Sequence, residues 1–103
     1  MNPDMVKKIQ QMQKEMQKAQ KELEESIFFG QAGGKTVEVE FNGAKEMQKI
    51  SIDREAFDLP EDLEILEDTI TAAVNDCMKK IDEETKETLG QFTQGLGGMQ
   101  GLL

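Results

Sequence analysis

Six apolar residues at the start of the chain constrain its fold more than any other feature. Met5, Ile9, Met12, Met16, Ala19 and Leu23 recur at steps of four, three, four, three and four residues. That spacing predicts a helix over 3–25 carrying a heptad seam, with Ile9, Met16 and Leu23 at position a and Met5, Met12 and Ala19 at position d. The intervening residues are mostly Gln, Lys and Glu, all good helix formers. Lys7, Lys14 and Lys21 fall at position f, opposite the seam, and Lys18 at c lies on the same outer surface. Glu15 and Glu22 fall at g, beside the seam. One face of this helix therefore requires an apolar partner, while the opposite face carries a basic ridge. The plain reading of such a ridge is solvation; the sharper one is a surface for phosphates.

The chain has 103 residues, enough for one domain with a modest core. A seam helix about 35 Å long, at 1.5 Å per residue, leaves apolar surface exposed in a monomer, and self-association is the economical remedy. The single cysteine, Cys77, has no intrachain partner and sits in an apolar helical stripe, so it reads as a small buried hydrophobe in a reducing compartment. No apolar run approaches membrane-spanning length, and the N-terminus lacks a secretory h-region. A cytoplasmic protein without a membrane partner is expected. The net charge of −9 is unevenly placed. Residues 1–25 hold five Lys and five acids, and 26–52 hold three of each. Residues 53–89 hold thirteen acids against four basic side chains, so the whole excess lies there. Such acidity opposes broad steering toward nucleic acid but leaves room for a local basic ridge.

After the first helix the period changes. Ser26 to Gly30 reads as a short strand, and Gly30-Gln31-Ala32-Gly33-Gly34 as a loop. A phosphate-cradling loop is the alternative, but no Gly-Lys-Ser/Thr follows. Thr36 to Phe41 alternates, with Val37, Val39 and Phe41 on one face and Glu38 and Glu40 on the other. Asn42-Gly43 signals a hairpin, and Met47 to Ile52 returns as a strand with Ile50 and Ile52 on one face. A turn or short helical piece follows at 53–57. Pro60 and its acidic neighbours then open a second helix, whose stripe is Leu63, Leu66, Ile70, Ala73 and Cys77, widened by Val74, Met78 and Ile81. The expected domain is 1–89, with helix 3–25, strands 26–30, 35–42 and 46–53, and helix 60–89. Residues 90–103, with five glycines, read as a flexible tail beaded with Phe92, Leu96, Met99, Leu102 and Leu103.

Catalysis has little to work with: there is no His, no Ser-His or Cys-His pair and no Cys/His metal cluster. A carboxylate-only metal site within Asp53 to Asp68 is an alternative weighed against plain solvation. No cofactor and no small-molecule substrate are expected.

The order of helix, three strands and long helix resembles the YbaB/EbfC family of small bacterial nucleoid-associated proteins. The match rests on Met12-Gln13-Lys14-Glu15-Met16-Gln17-Lys18, on Gly30-Gln31-Ala32-Gly33-Gly34, and on Val37-Glu38-Val39-Glu40-Phe41-Asn42-Gly43. It continues through Ile50-Ser51-Ile52-Asp53, Leu66-Glu67-Asp68, Ala72-Ala73-Val74-Asn75-Asp76-Cys77 and the Gly-rich tail. Lys35 stands where the family often has a further glycine, Arg54 replaces a common proline, and Asp82 to Glu87 is more acidic than expected of a DNA binder. The resemblance implies an α+β fold (α-β-β-β-α) in a tweezer-like homodimer. It also implies duplex DNA binding with little sequence preference, and a role in nucleoid organisation and gene regulation. It supplies no catalytic residue.

Two readings remain open from the sequence. One is a DNA-binding dimer that uses Lys7, Lys14, Lys18 and Lys21 as the main ridge, with Lys79, Lys80 and Lys86 as a weaker second set. These lysines come from charge and spacing, not from a family motif. The other is a protein-interaction module, either a coiled-coil adaptor or an acidic DNA mimic. The lysine ridge favours the first, and the net charge favours the second.

Overall fold

The computed structural model describes residues 2–95, with side chains through Phe92. The element order is α1 (Pro3–Glu25), β1 (Ile27–Ala32), β2 (Val37–Asn42), β3 (Met47–Ile52), a 3₁₀ turn (Arg54–Ala56) and α2 (Leu63–Gly95). The three strands form one antiparallel sheet in sequence order. The molecule is an elongated α+β unit of 69 × 24 × 16 Å.

Alternation in β2 places Val37, Val39 and Phe41 on the face that α2 covers, and all three are buried. Leu66, Ala73, Cys77 and Ile81 complete the core from α2. Phe28 and Ala32 of β1 and Ile70, Val74 and Met78 of α2 pack around them, half-buried. The helix lies over β1 and β2 and stops short of β3. Ile50 and Ile52 pair across the ladder with Val39 and Val37, so they share the apolar face. Without helix cover they remain 40% and 37% exposed, as does Met47 at 44%.

Strand limits differ from the sequence expectation by one or two residues, with β2 beginning at Val37 rather than 35 and β3 spanning Met47–Ile52 rather than 46–53, and three differences bear on the packing. β1 does not stop at Gly30 but runs on to Ala32. Gly30 is a buried strand residue: a Cβ there would strike the Ala73 carbonyl oxygen and lie 2.6 Å from the Cys77 Cβ. Its lack of a side chain is what lets α2 settle onto β1. The loop proper is shorter, and Gly33, Gly34 and Lys35 all take positive φ, near 62°, 64° and 70°. That conformation costs a residue with a side chain, which explains why glycine suits the position Lys35 occupies.

The second correction concerns α2, which begins at Leu63 rather than at residue 60. Asp62 closes a turn back onto Asp58, its backbone N–H bonding the Asp58 carbonyl at 2.8 Å and its carboxylate accepting from the Asp58 N–H at 2.9 Å. The third is that α2 passes through Gly90 to Gly95 instead of ending at 89. A Cβ at Gly90 would meet nothing within 4 Å, while Phe92 beyond it lines a cleft with Met16 and Leu23 of α1. Packing there overrides the low helix propensity of one glycine. The expected tail beads Leu96, Met99, Leu102 and Leu103 lie outside the described residues.

The Asn42-Gly43 hairpin forms, but not as a two-residue turn. The Asn42 carboxamide oxygen accepts from the N–H groups of Ala44 and Glu46, both at 3.0 Å. Lys45 takes the positive φ, 65°. Gly43 is needed for a different reason: a Cβ there would collide with the Leu23 carbonyl oxygen.

Candidate nucleic-acid interface

α1 starts on Pro3 in its first turn, and the Asn2 side chain accepts from the Asp4 N–H at 3.0 Å, one of the otherwise unpaired N-terminal donors. It ends where Ser26 turns extended; the Ser26 hydroxyl and N–H both donate to the Glu22 carbonyl, at 2.7 and 3.0 Å. The Gly43 N–H donates to the Ser26 carbonyl at 3.0 Å. The β2–β3 hairpin thus seats directly on the last turn of α1 and sets the direction in which the helix leaves the sheet. On the same hairpin, Lys45 pairs with Asp82 of α2 at 3.0 Å.

From that anchor α1 runs back beside the far half of α2, antiparallel to it. Met16, Gln20 and Leu23 face Thr85, Leu89 and Phe92 across a cleft of about 230 Å³. A second, more open cleft of about 440 Å³ sets Ala19, Leu23 and Ile27 against Glu84, Thr88 and Gln91. The seam therefore closes within one chain over its second half, where Met12, Met16, Ala19 and Leu23 are half-buried. Full burial of Met16 and Leu23, which the heptad leads one to expect, is not reached, because no residue of α1 is buried in the single chain. Toward the N-terminus Met5 and Ile9 stay exposed, at 44% and 36%.

Lys7, Lys14, Lys18 and Lys21 are all exposed on the surface away from this seam. The ion pairs among the described residues are Lys45–Asp82 and Lys80–Asp76 only, so no ridge ammonium there lies within ion-pair distance of a carboxylate. Lys8 belongs with them on exposure, although the heptad spacing does not single it out. It falls at position g, where its heptad mates are Glu15 and Glu22, so its register reads as a flank and not as the ridge.

The second lysine set splits. Lys79 and Lys86 are exposed, one heptad apart, with Glu83 between them. Lys80 points elsewhere: its ammonium donates to the Phe29 carbonyl at 2.9 Å and pairs with Asp76 at 3.3 Å. Asp76 in turn accepts from the Gln31 N–H at 3.1 Å. These two side chains occupy two backbone groups of β1, the Phe29 carbonyl and the Gln31 N–H, on an edge strand. The Gln31 N–H bond, helped by Lys80, holds the Asp76 carboxyl below the usual range. Charge and spacing along the ridge do not anticipate this clamp; its trace in the sequence is the i, i+4 pairing of Asp76 with Lys80.

Acidic side chains are sorted along the long axis. Glu61, Asp62, Glu64, Glu67 and Asp68 cluster at the sheet end of α2, which is about 50 Å long at 1.5 Å per residue. The exposed start of α1 lies toward the other end. Asp82, Glu83, Glu84 and Glu87 share the arm with the ridge but are borne by α2. Among the described residues no three His, Cys, Asp or Glu side chains converge as a metal site. Burial pushes the Cys77 thiol up, and the residue is a packed core member. No helix among the described residues is long and apolar enough to cross a membrane.

Comparison with known proteins adds a family to this geometry. The profile of the YbaB/EbfC DNA-binding family matches residues 1–96. A nucleoid-associated protein of Ligilactobacillus salivarius is 43% identical over 95 residues, covering 92% of this chain and 90% of the relative. The nucleoid-associated protein YaaK of Bacillus subtilis is 50% identical over 78 residues, 76% of this chain and 71% of the relative. Among solved structures, an uncharacterized Helicobacter pylori protein superposes with a TM-score of 0.73 at 26% identity, covering 90% of this chain and 98% of that one.

Proposed function

Because the chain belongs to the YbaB/EbfC DNA-binding family, we propose that it binds duplex DNA as a nucleoid-associated homodimer, with little sequence preference, through the α1 lysine ridge. The observation that carries the reading is the ridge itself. Lys7, Lys14, Lys18 and Lys21 are exposed, unpaired among the described residues and directed away from the one face that packing occupies. Cations so placed suit phosphates, and phosphate contacts position a protein without reading sequence. Lys79 and Lys86 are a weaker second contributor. Lys80 contributes least, since Asp76 and the Phe29 carbonyl already hold its ammonium. A role in nucleoid organisation and gene regulation follows from binding of this kind.

The second copy sits on the uncovered apolar face of β3. Met47, Ile50 and Ile52, beside half-buried Ile70, Val74 and Met78, make an apolar surface that α2 leaves open. At the opposite edge of the sheet, Asp76 and Lys80 already engage the Gln31 N–H and the Phe29 carbonyl of β1, which favours assembly on the β3 side. Two copies double the basic ridge and leave the acidic sheet end remote from the arms.

The test replaces Lys14, Lys18 and Lys21 together with Gln, which keeps helix propensity and spares the seam. Gel shifts on duplexes of unrelated sequence are run across a salt series. Removing one phosphate-binding ammonium lowers the salt slope by about one unit. A drop of about three per protomer is therefore expected, with most binding abolished on every duplex. A triple variant with the parent's affinity and slope rejects the ridge. It would turn attention to Lys79 and Lys86, or to the protein-interaction reading.

A further inference from the structure

The two flanks of the α1 lysine row differ in chemistry. Gln10 and Gln17 fall at heptad position b and Gln13 at e, between the row of Lys7, Lys14 and Lys21 at f and the apolar seam. The acids Glu15 and Glu22 lie at g, on the other flank. Gln10, Gln13 and Gln17 are all exposed. With Lys7, Lys14 and Gln11 they surround an open surface depression of about 420 Å³, and every residue around it belongs to α1. No other element of the described residues covers this sector.

The three carboxamides have no hydrogen-bond partner within the described chain, whereas Gln11 donates to the Glu15 carboxylate at 3.4 Å. Gln20, the next residue of the row, is turned to the cleft with α2. The surface that carries the lysines thus also carries three uncharged groups, each with two donors and an acceptor in one plane. Such groups add nothing to charge neutralisation. They suit hydrogen bonding to a partner that presents acceptors beside its phosphates.

Base edges in the major groove are such acceptors. An α-helix with its side chains is about 10–12 Å across, and the groove is about 12 Å wide. Gln10 and Gln17 are about 10.5 Å apart along the helix, which is about three base-pair steps of 3.4 Å. We propose that α1 lies in the major groove, with Lys7, Lys14 and Lys21 along one phosphate wall and Gln10, Gln13 and Gln17 donating to purine N7 atoms on the groove floor. The proposal rests on the duplex-binding reading above and adds to it a groove and three contact residues. Adenine and guanine both present N7 as an acceptor, so every base pair offers one. Contacts to N7 therefore seat the helix in one groove without selecting a sequence. The acidic g flank is turned away from the groove floor.

The experiment compares the full-length parent with Gln10→Ala/Gln13→Ala/Gln17→Ala, since alanine keeps helix propensity high. Each is titrated against an ordinary duplex and against the same duplex built with 7-deazapurines, which lack the N7 acceptor and keep every phosphate. A third duplex with 3-deazaadenine removes a minor-groove acceptor as the control. The parent is expected to bind the 7-deaza duplex at least ~10-fold more weakly than the ordinary one, from the loss of up to three hydrogen bonds. It should bind the 3-deaza duplex unchanged. The triple variant should bind the ordinary duplex at that weakened level, lose nothing further on the 7-deaza duplex, and keep the parent's salt slope, because no ammonium is removed.

Equal binding of the parent to the ordinary and 7-deaza duplexes overturns the proposal, and this comparison needs no variant. So does a triple variant that binds like the parent, which would leave the glutamines as helix formers only, or one that still discriminates between the two duplexes. Loss on the 3-deaza duplex alone would place α1 in the minor groove and also overturn it. A parent that binds none of the duplexes rejects the lysine ridge itself, and the groove contacts with it, so the two failures are told apart.

Discussion

Gly30→Ala tests the packing on which the whole arrangement rests. A methyl group at Gly30 would lie 2.6 Å from the Cys77 Cβ and 2.8 Å from the Cys77 nitrogen, and closer still to the Ala73 carbonyl oxygen. Carbon atoms rest about 3.5–4.0 Å apart, so β1 and α2 must separate by about 1 Å. Overpacking of this kind costs about 1–3 kcal/mol. The upper end applies, because two of the three obstacles are backbone atoms that no rotamer change can move. Separation also opens a gap around Val39, Cys77 and Ile81, which are 1%, 0% and 0% exposed; a gap of 0.5–1 Å forfeits roughly a quarter to a half of the dispersion attraction there. About 3 kcal/mol is expected in total.

For a domain of this size that lowers Tm by about 12–24 °C, at 4–8 °C per kcal/mol. The assay is thermal unfolding followed by circular dichroism, at one fixed protein concentration because association shifts apparent stability. Gly90→Ala is the internal contrast. A Cβ at Gly90 meets nothing within 4 Å, so alanine there should stabilise the helix by about 0.5–1 kcal/mol. If Gly30→Ala melts within a few degrees of the parent, or the two alanine variants shift Tm in the same direction, the close approach of β1 and α2 is refuted.

Met16→Glu sets a charge into the half-buried seam and should cost about 1–3 kcal/mol, read as a lowered denaturation midpoint; an unchanged midpoint would mean that the heptad register is wrong. Asp76→Asn probes the β1 clamp through pH. The folded-state pKa of Asp76 lies below its ordinary value of 3.8, so its contribution is fully present above that value and is lost as pH falls through the lowered one. The parent should exceed the variant in urea stability at neutral pH and converge with it in acid; a gap that stays constant with pH would place the effect elsewhere. Ile50→Lys puts a charge on the uncovered face of β3. The parent should sediment near 23 kDa, twice the 11.6 kDa chain, and the variant as a folded monomer; a variant that remains dimeric moves the interface off β3.

Much of the fold was legible because two periodicities stand out in the chain. Steps of three and four mark α1 and the core stripe of α2, and strict alternation marks β2, where one face is apolar and the other Glu. Element order follows from these with the turn signals. The basic ridge was legible for the same reason: a helix of known register has a known outer face.

Glycine was the residue the linear reading handled least well. Gly30, Gly43 and Gly90 look alike as punctuation, yet one lies inside a strand, one under a helix end and one within a helix. Each position is set by what approaches it in space: α2 at Gly30, the Leu23 carbonyl at Gly43, and nothing at Gly90, so only contacts across the fold distinguish them. Lys80 illustrates the same limit, since Phe29 lies 51 residues away in sequence. By itself the sequence determined which segments are helical, which strand alternates, and which α1 lysines face outward, because those follow from local periodicity. Only the tertiary structure decided that β3 lies beyond the cover of α2, that half of the seam closes on the chain's own second helix, and that one lysine is consumed in sealing a strand edge. Those outcomes depend on distances between segments remote in the chain, which no local pattern encodes.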